Sequence, residues 1–213
     1  MSGWTTINGD AVALPQANID TDQLIPARFM SQPRKDGYGA FLLHDVRESM
    51  PAHPLNHHAP QVLVAGRNFG SGSSREAAVY AMVDFGVRVV FAPSFGDIFA
   101  GNAVNNGLLA AQIEDALAAD LMAVLGDGAG AAQVDLGTGR ASIAGHSFAF
   151  TLDEVARQKL LNGWDDIDLT AQHSPEISAF CAARQAAHSW ALPTPSQTRM
   201  DAKASLTKGE RHS

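Results

Sequence analysis

The feature that most constrains the fold is a glycine-rich turn, GRNFGSGSS at residues 66–74, between a short apolar run and a helical pattern. Short apolar runs bounded by turn signals are typical of strands buried inside a sheet. A strand, a helix, a second strand and a second helix are predicted at residues 62–65, 73–84, 88–92 and 94–106. Gly86 follows the first helix as its C′ residue, and Ser94 with Asp97 forms a capping pattern for the second. This order predicts parallel strands joined by a crossover helix, and therefore an α/β fold.

The rest of the chain adds shorter elements to this core. Strands are predicted at residues 4–7 and 12–14, with a turn at Gly9–Asp10 between them. Further on we expect an amphipathic helix from Ile113 to Leu125, a hairpin around Gly137–Gly139, a helix opened by a Thr151–Glu154 capping box and ending near Gly163, and a last helix from Ser174–Pro175 to about Trp190. The sequence predicts one domain over residues 1–193 and a polar, mobile tail over 194–213.

Composition argues against several classes of function. The chain has 213 residues and a net charge of −7, so it lacks the basic face of a nucleic-acid-binding protein. No apolar run approaches the roughly 20 residues that span a bilayer, and residues 1–10 show no signal-peptide pattern. We therefore expect a cytoplasmic protein without membrane association. Cys181 is the only cysteine, so any iron–sulfur cluster must lie on another chain, and we expect no cofactor or metal on this one.

The glycine-rich turn carries the groups that could bind an anion. Its glycines at positions 66, 70 and 72 permit a tight turn and close approach of a ligand to the backbone. The following helix would present free N–H groups and the positive end of its dipole. Ser73 and Ser74 add hydroxyl groups there, and Arg75 adds a planar guanidinium suited to a carboxylate or a phosphate. The alternative is structural: Ser73 caps the helix and Glu76 completes a capping box.

Nucleotide-binding and hydrolase motifs do not fit this turn. Arg75 stands where a dinucleotide fingerprint needs its third glycine, and no Gly-Lys-Ser/Thr ending completes a P-loop. Gly72 stands where a nucleophile elbow needs its serine. Nucleotide binding is therefore disfavoured.

Four stretches of the sequence, in order, resemble one protein family. GSSRE at residues 72–76 is similar to the hallmark of the mobile domain of the aconitase superfamily. Three further segments resemble the small subunits of 3-isopropylmalate dehydratase: NIDTDQLIPARF at 18–29, GYGAFLLHDVR at 37–47 and FAPSFGDIFAGNAVNNGLL at 91–109. A weaker similarity extends through RQAAHSW at 184–190.

The resemblance implies a fold, a partner and a reaction. The fold would be a swivelling β/β/α domain, and the partner a large subunit carrying a [4Fe–4S] cluster. The reaction would move a hydroxyl group between adjacent carbons of a dicarboxylic hydroxy acid through dehydration and rehydration. Isomerisation of isopropylmalate in leucine biosynthesis is the commonest such reaction.

The resemblance also assigns roles to individual residues. Ser73 would be the catalytic base, while Ser74 and Arg75 would hold a substrate carboxylate. Asp22 would lie at the edge of the site and accept hydrogen bonds from the serine turn, with an ordinary Asx turn as the alternative. Arg28 would belong to a substrate-side loop that reaches Tyr38. The supporting turn would consist of Gly70, Gly72 and Glu76.

Some features leave alternatives open. The family usually has histidine where Ala77 stands, and many members have cysteine at Ser71, so a citraconate- or dimethylmaleate-type substrate is an alternative. A non-catalytic anion-binding module is a second alternative. Arg34 and Lys35 are predicted to be a solvated charge pair. His53, His57 and His58 suggest a metal site, but nearby prolines disfavour the helix it would need, and we set it aside.

Overall fold

A seven-stranded sheet organises the described part of residues 1–169. The computed structural model describes residues 3–72 and 75–191. Within them the strands are β1 (Thr6–Leu14), β2 (Val62–Ala65), β3 (Val89–Ala92), β4 (Leu109–Gln112), β5 (Ala129–Asp135), β6 (Arg140–Ile143) and β7 (His146–Ala149). Their spatial order is β4-β3-β2-β1-β5-β6-β7. The first four are parallel and the last three continue the sheet as an antiparallel meander, so the predicted parallel core and hairpin are confirmed.

In the described chain, five helices lie between successive strands and three follow β7. They are α1 (Thr21–Leu24), α2 (His44–Ser49), α3 (Glu76–Phe85), α4 (Asp97–Asn105), α5 (Asp115–Leu125), α6 (Glu154–Asn162), α7 (Asp166–Ala171) and α8 (Ser174–Ala187). Short 3-10 turns lie at Ala27–Ser31, Arg34–Asp36, Gly39–Phe41, Pro54–Asn56 and Ser189–Ala191. None of these described helices is long and apolar enough to cross a membrane.

The two faces of the parallel strands belong to two apolar clusters. Val12, Leu63 and Val90 lie in one row of the sheet and pack in the cluster that contains side chains of α1, α3 and α4. The neighbouring residues point to the opposite face, where α5 and the antiparallel strands cover them. All four residues of β2 are buried because both faces are covered, which explains their uninterrupted apolar sequence.

The predicted turn at Gly9–Asp10 is wrong, because β1 runs through it as one continuous strand. Gly9 and Asp10 pair with Ala132 and Ala131 of β5. The side chain of Gln61 accepts a hydrogen bond from Asp10 N at 3.0 Å and fills the space beside Gly9, where a Cβ would lie 1.8 Å from Gln61 Oε1. Gly9 therefore allows the Gln61 side chain to pack closely against β1.

Two predicted helix starts are also wrong. Ser94 does not cap α4: Gly96 is the N-cap residue, and Ser94 Oγ accepts from Asn68 N at 2.9 Å. Asp153 caps α6 by accepting from two backbone N–H groups, in place of Thr151. Each replacement residue lies within two positions of the predicted one, so the elements themselves are confirmed.

The chain divides into two compact units, residues 1–169 and 170–213. The first contains the sheet. In the second unit, α8 begins at Ser174, beside the predicted start at Ser174–Pro175. Every described residue from 170 to 191 is exposed. The proposal of one domain through residue 193 stays a prediction, and the predicted tail at 194–213 lies outside the described residues.

We predict that Phe91→Ala destabilises the protein by about 3–5 kcal/mol, the usual cost of removing a large aromatic side chain from a core. Phe91 is fully buried, and its ring contacts Phe148 and Phe150 at centroid distances of 5.1 and 5.6 Å. Urea unfolding measures the change. Val124→Ala, at a side chain 51% exposed, is the control and should stay within about 0.5 kcal/mol of the parent. Equal losses in both variants would contradict the packing assigned to Phe91.

Candidate active site

The glycine-rich turn leaves the carboxyl end of β2 and runs between the loops that follow β1 and β3. Backbone hydrogen bonds tie it to both neighbours: Gly70 N to Ile19 O (2.7 Å), Thr21 N to Ser71 O (3.0 Å), Phe69 N to Ser94 O (3.0 Å) and Gly96 N to Phe69 O (2.9 Å). The carboxyl edge of a parallel sheet is where α/β proteins usually place ligand sites. The fold therefore fixes the turn at the position expected for a functional site.

Packing against protein atoms explains two of the three glycines. Gly70 has a φ of +70°, and a Cβ there would lie 2.2 Å from Phe99 Cγ. A Cβ on Gly66 would lie 2.5 Å from Gln16 O. Gly72, with a φ of +91°, is different, because its nearest neighbour would be Asp20 Cβ at 3.5 Å. Measured against the described residues, Gly72 is the one of the three with space beside its backbone, so the sequence-based argument for ligand approach applies to this glycine alone.

The helix after the turn begins later than the sequence predicts. Glu76 is the first residue of α3, and Arg75 is its N-cap residue without a side-chain cap hydrogen bond. Glu76 is therefore not the third helical residue that a capping box with Ser73 requires, and that interpretation is wrong. Glu76 Oε1 instead accepts from Asn106 Nδ2 at 2.9 Å, which joins the start of α3 to the end of α4. Ser73 and Ser74 lie outside the described residues.

Arg75 and Asp22 come together beside this helix start. Arg75 Nη1 lies against Asp22 Oδ1 as an ion pair, although the two groups are not aligned as a hydrogen bond. Asp22 occupies the first turn of α1, whose N-terminus is fixed by a capping box between Asp20 and Gln23. The Arg75 side chain is 23% exposed and that of Asp22 is 57% exposed. A pair this open to solvent contributes little stability, so its consequence is the orientation of the guanidinium.

Arg28 is engaged elsewhere. Its guanidinium forms a two-point pair with Asp45 on α2 and lies 4.4 Å from the centre of the Phe29 ring. The hydrogen bond from Arg28, followed by that from His44, lowers the pKa of Asp45 to about 2. Within the described chain, no contact joins Arg28 to Arg75 or Asp22. The structure thus brings Asp22 and Arg75 together but not Arg28.

Arg34 is not a solvated charge, contrary to the sequence-based prediction. It forms two hydrogen bonds with Asp84 at the end of α3, at 2.7 and 3.0 Å, and stacks over Tyr80 at 4.4 Å. Burial, followed by a hydrogen bond from Tyr80 to Glu76, raises the pKa of the tyrosine. These contacts hold the 3-10 turn Arg34–Asp36 against one face of α3. Glu76, Tyr80 and Asp84 are spaced by four residues, a signal that could have revealed this face.

The histidine-rich stretch has structural contacts. His53 Nδ1 accepts from Leu55 N at 3.2 Å, and His57 Nε2 lies 3.0 Å from Pro51 O. A different group, His44, Asp45 and Glu48, places its ligand atoms within 4.8 Å of one another. Asp45 in that group is already paired with Arg28, so we assign no metal site to it.

Comparison with known proteins shows the family. Residues 1–116 match the aconitase C-terminal domain family, and the chain belongs to it. Small subunits of 3-isopropylmalate dehydratase from Shewanella baltica and Shewanella denitrificans are 45% and 46% identical over 192 residues, which cover 84% of this chain and 96% of each relative. Within the wider family, the chain therefore belongs with the 3-isopropylmalate dehydratase small subunits.

A solved structure agrees with this assignment. The crystal structure of 3-isopropylmalate dehydratase from Methanocaldococcus jannaschii matches 82% of this chain and 98% of that chain, with a TM-score of 0.63 and 26% sequence identity. The predicted swivelling α/β fold is confirmed.

We predict opposite effects for two alanine substitutions at glycines. Gly70→Ala should destabilise the protein by at least about 1–3 kcal/mol. The added methyl group would collide with the Phe99 ring, and the positive φ of residue 70 is unfavourable for alanine. Gly101→Ala on α4 is the control: nothing lies within 4 Å of its Cβ, and alanine in a helix should stabilise by about 0.5–1 kcal/mol. Thermal unfolding of both variants measures the difference, and a neutral Gly70→Ala would overturn the packing described for the turn.

Proposed function

We propose that this chain is the small subunit of a heteromeric hydro-lyase that interconverts 2-isopropylmalate and 3-isopropylmalate in leucine biosynthesis. The family assignment carries the reaction class. The placement of Arg75 and Asp22 at the carboxyl edge of the sheet is the structural observation that supports a carboxylate site there. The chain would contribute one half of an active site and a large subunit the other.

Arg75 is proposed to bind a carboxylate of the substrate. A guanidinium has five N–H donors in one plane, more than one carboxylate takes up, and the nearest approach of Arg75 to Asp22 is through Nη1. Asp22 therefore holds the guanidinium in place while other donors stay available to the substrate. This local positive group matters because the chain as a whole carries a net charge of −7, which repels a diacid.

Ser73 is proposed to remove the proton from the carbon next to a substrate carboxylate, and Ser74 to help hold that carboxylate. Two features favour negative charge at this position: the N-terminus of the ten-residue helix α3 and the guanidinium of Arg75. The helix dipole supplies only about 0.3–1 kcal/mol at an exposed site, so the guanidinium and the partner must supply most of the activation.

The remaining chemistry is assigned to the partner. The only cysteine, Cys181, is exposed on α8, so this chain does not offer the thiolate set that a [4Fe–4S] cluster needs. A cluster on the large subunit would act as a Lewis acid toward the hydroxyl group that leaves the substrate. We place the assembly in the cytoplasm, in agreement with a role in amino-acid biosynthesis.

Two alternatives remain as separate hypotheses. Ala77 stands at a position usually held by histidine in the family, and it packs against the core beside the start of α3. A citraconate- or dimethylmaleate-type diacid is therefore the alternative substrate. A non-catalytic anion-binding module would bind small diacids without a partner and would show no hydro-lyase activity with any large subunit.

The decisive variant is Ser73→Ala in the complex reconstituted with a cluster-loaded large subunit. Loss of a general base should lower kcat by about 10²–10⁴-fold and leave KM nearly unchanged. Absorbance of the alkene diacid measures turnover of 3-isopropylmalate, and co-elution of the two chains is the control for assembly. Full activity of an assembled Ser73→Ala complex would exclude this serine as the base.

We predict that Asp22→Asn raises KM for isopropylmalate by up to about five-fold, because exposed ion pairs are worth about 0.2–1 kcal/mol. The asparagine keeps the size of the side chain but removes the charge that orients Arg75. Steady-state kinetics of the reconstituted enzyme measure the effect. Asp10→Asn, at an exposed position on β1, is the matched control and should leave KM unchanged. A fall in KM for Asp22→Asn would mean that Asp22 competes with the substrate.

A further inference from the structure

A pocket lies at the end of β1, and two of its lining residues, Leu14 and Ile19, accept backbone hydrogen bonds from the glycine-rich turn. Its volume is about 290 Å³. The wall is aliphatic and comes from β1, the following loop and α2, with Leu14, Ile19, Leu43 and Val46 among its residues. Pockets for small molecules usually measure about 300–1,000 Å³, so this one suits a ligand of a few carbon atoms. No residue of the turn at 66–72 lines it.

His53 is one of the residues that line this pocket. The side chain is buried, with 6% exposure, and its Nδ1 accepts from Leu55 N at 3.2 Å. The proton of the neutral ring must therefore be on Nε2. Burial, followed by the charge of Arg47, lowers the pKa of His53, so the ring is neutral at pH 7. Among the described residues, the bond at Nδ1 is the one side-chain hydrogen bond of His53, and the Nε2–H group is therefore available to a ligand.

Asp127 supplies a negative charge at the same pocket. It lies in the exposed turn between α5 and β5, and no described ion pair neutralises its carboxylate. A carboxylate in this position attracts an ammonium group and repels a diacid. The pocket also lacks any arginine or lysine in its lining. Its chemistry is therefore opposite to that of the Arg75 site.

We propose that this pocket binds a small aliphatic amino acid. The apolar wall takes the aliphatic side chain, Asp127 pairs with the ammonium group, and the His53 Nε2–H group donates to a carboxylate oxygen. A ligand that lacks the ammonium group would leave Asp127 unpaired and bring its own carboxylate toward that charge. The amino acid is thus favoured over the corresponding fatty acid.

Calorimetric titration of the full chain tests this assignment. The probes are L-leucine and L-valine, with 4-methylpentanoate, which has the carbon skeleton of leucine without the amine. We expect saturable binding of at least one amino acid and binding of 4-methylpentanoate at least ten-fold weaker. Absence of heat from both amino acids, or equal affinity for 4-methylpentanoate, would overturn the proposal.

Two variants locate the binding site. Asp127→Asn changes only an exposed turn and should weaken amino-acid binding at least five-fold, whereas Asp120→Asn, at an exposed position on α5, should not. Val46→Phe should fill the pocket and abolish binding. Since Asp127→Asn leaves the core intact, its result stands even if Val46→Phe fails to fold. Unchanged affinity in Asp127→Asn would remove the pocket as the site.

Discussion

The structure depends on backbone hydrogen bonds that join three loops at the carboxyl edge of the parallel sheet. The turn after β2 is bonded on one side to the loop after β1 and on the other to the loop after β3. Gly70 permits this arrangement because the ring of Phe99 occupies the space where a side chain would lie. Fixing the turn also fixes the start of α3, and with it the position of Arg75. The geometry of the candidate site therefore depends on the pairing of β1, β2 and β3, which brings the three loops together.

The ion pair between Arg75 and Asp22 orients a guanidinium group on this backbone framework. Asp22 lies in the first turn of α1 and Arg75 is the N-cap residue of α3, so each partner is positioned by a helix start. Because the pair is partly exposed, it orients the guanidinium without making it unavailable. In the proposed mechanism this half-site binds one carboxylate of a diacid, and a large subunit takes the leaving hydroxyl.

Much of the parallel core could be predicted from the sequence, because its signals are local. The apolar run of β2, the glycine after α3 and the helical period of α5 each act within a few residues. The continuous β1 could not be predicted, since Gly9 looks like a turn residue until Gln61 and β5 are beside it. The short edge strands β4 and β7 were also missed, because their pairing is specified by distant partners.

The candidate site likewise has features that could be predicted from local sequence and features that could not. The turn at 66–75 was found from its own residues and from the family resemblance. The pairing of Arg28 with Asp45 and of Arg34 with Asp84 was not, because each pair joins segments that only the fold brings together. A charged residue in a loop carries no local sequence signal that distinguishes an ion pair from a solvated side chain. For Arg34, the four-residue spacing of Glu76, Tyr80 and Asp84 along α3 was the one available indication of a partner surface.

The active site is proposed to be divided between two chains. Titrating this chain into a fixed amount of cluster-loaded large subunit, while following the alkene diacid formed from 3-isopropylmalate, tests that division. We predict no turnover by either subunit alone and an activity that rises to a plateau as the small subunit is added. Turnover by the large subunit alone, or none from a stably assembled complex, would contradict it.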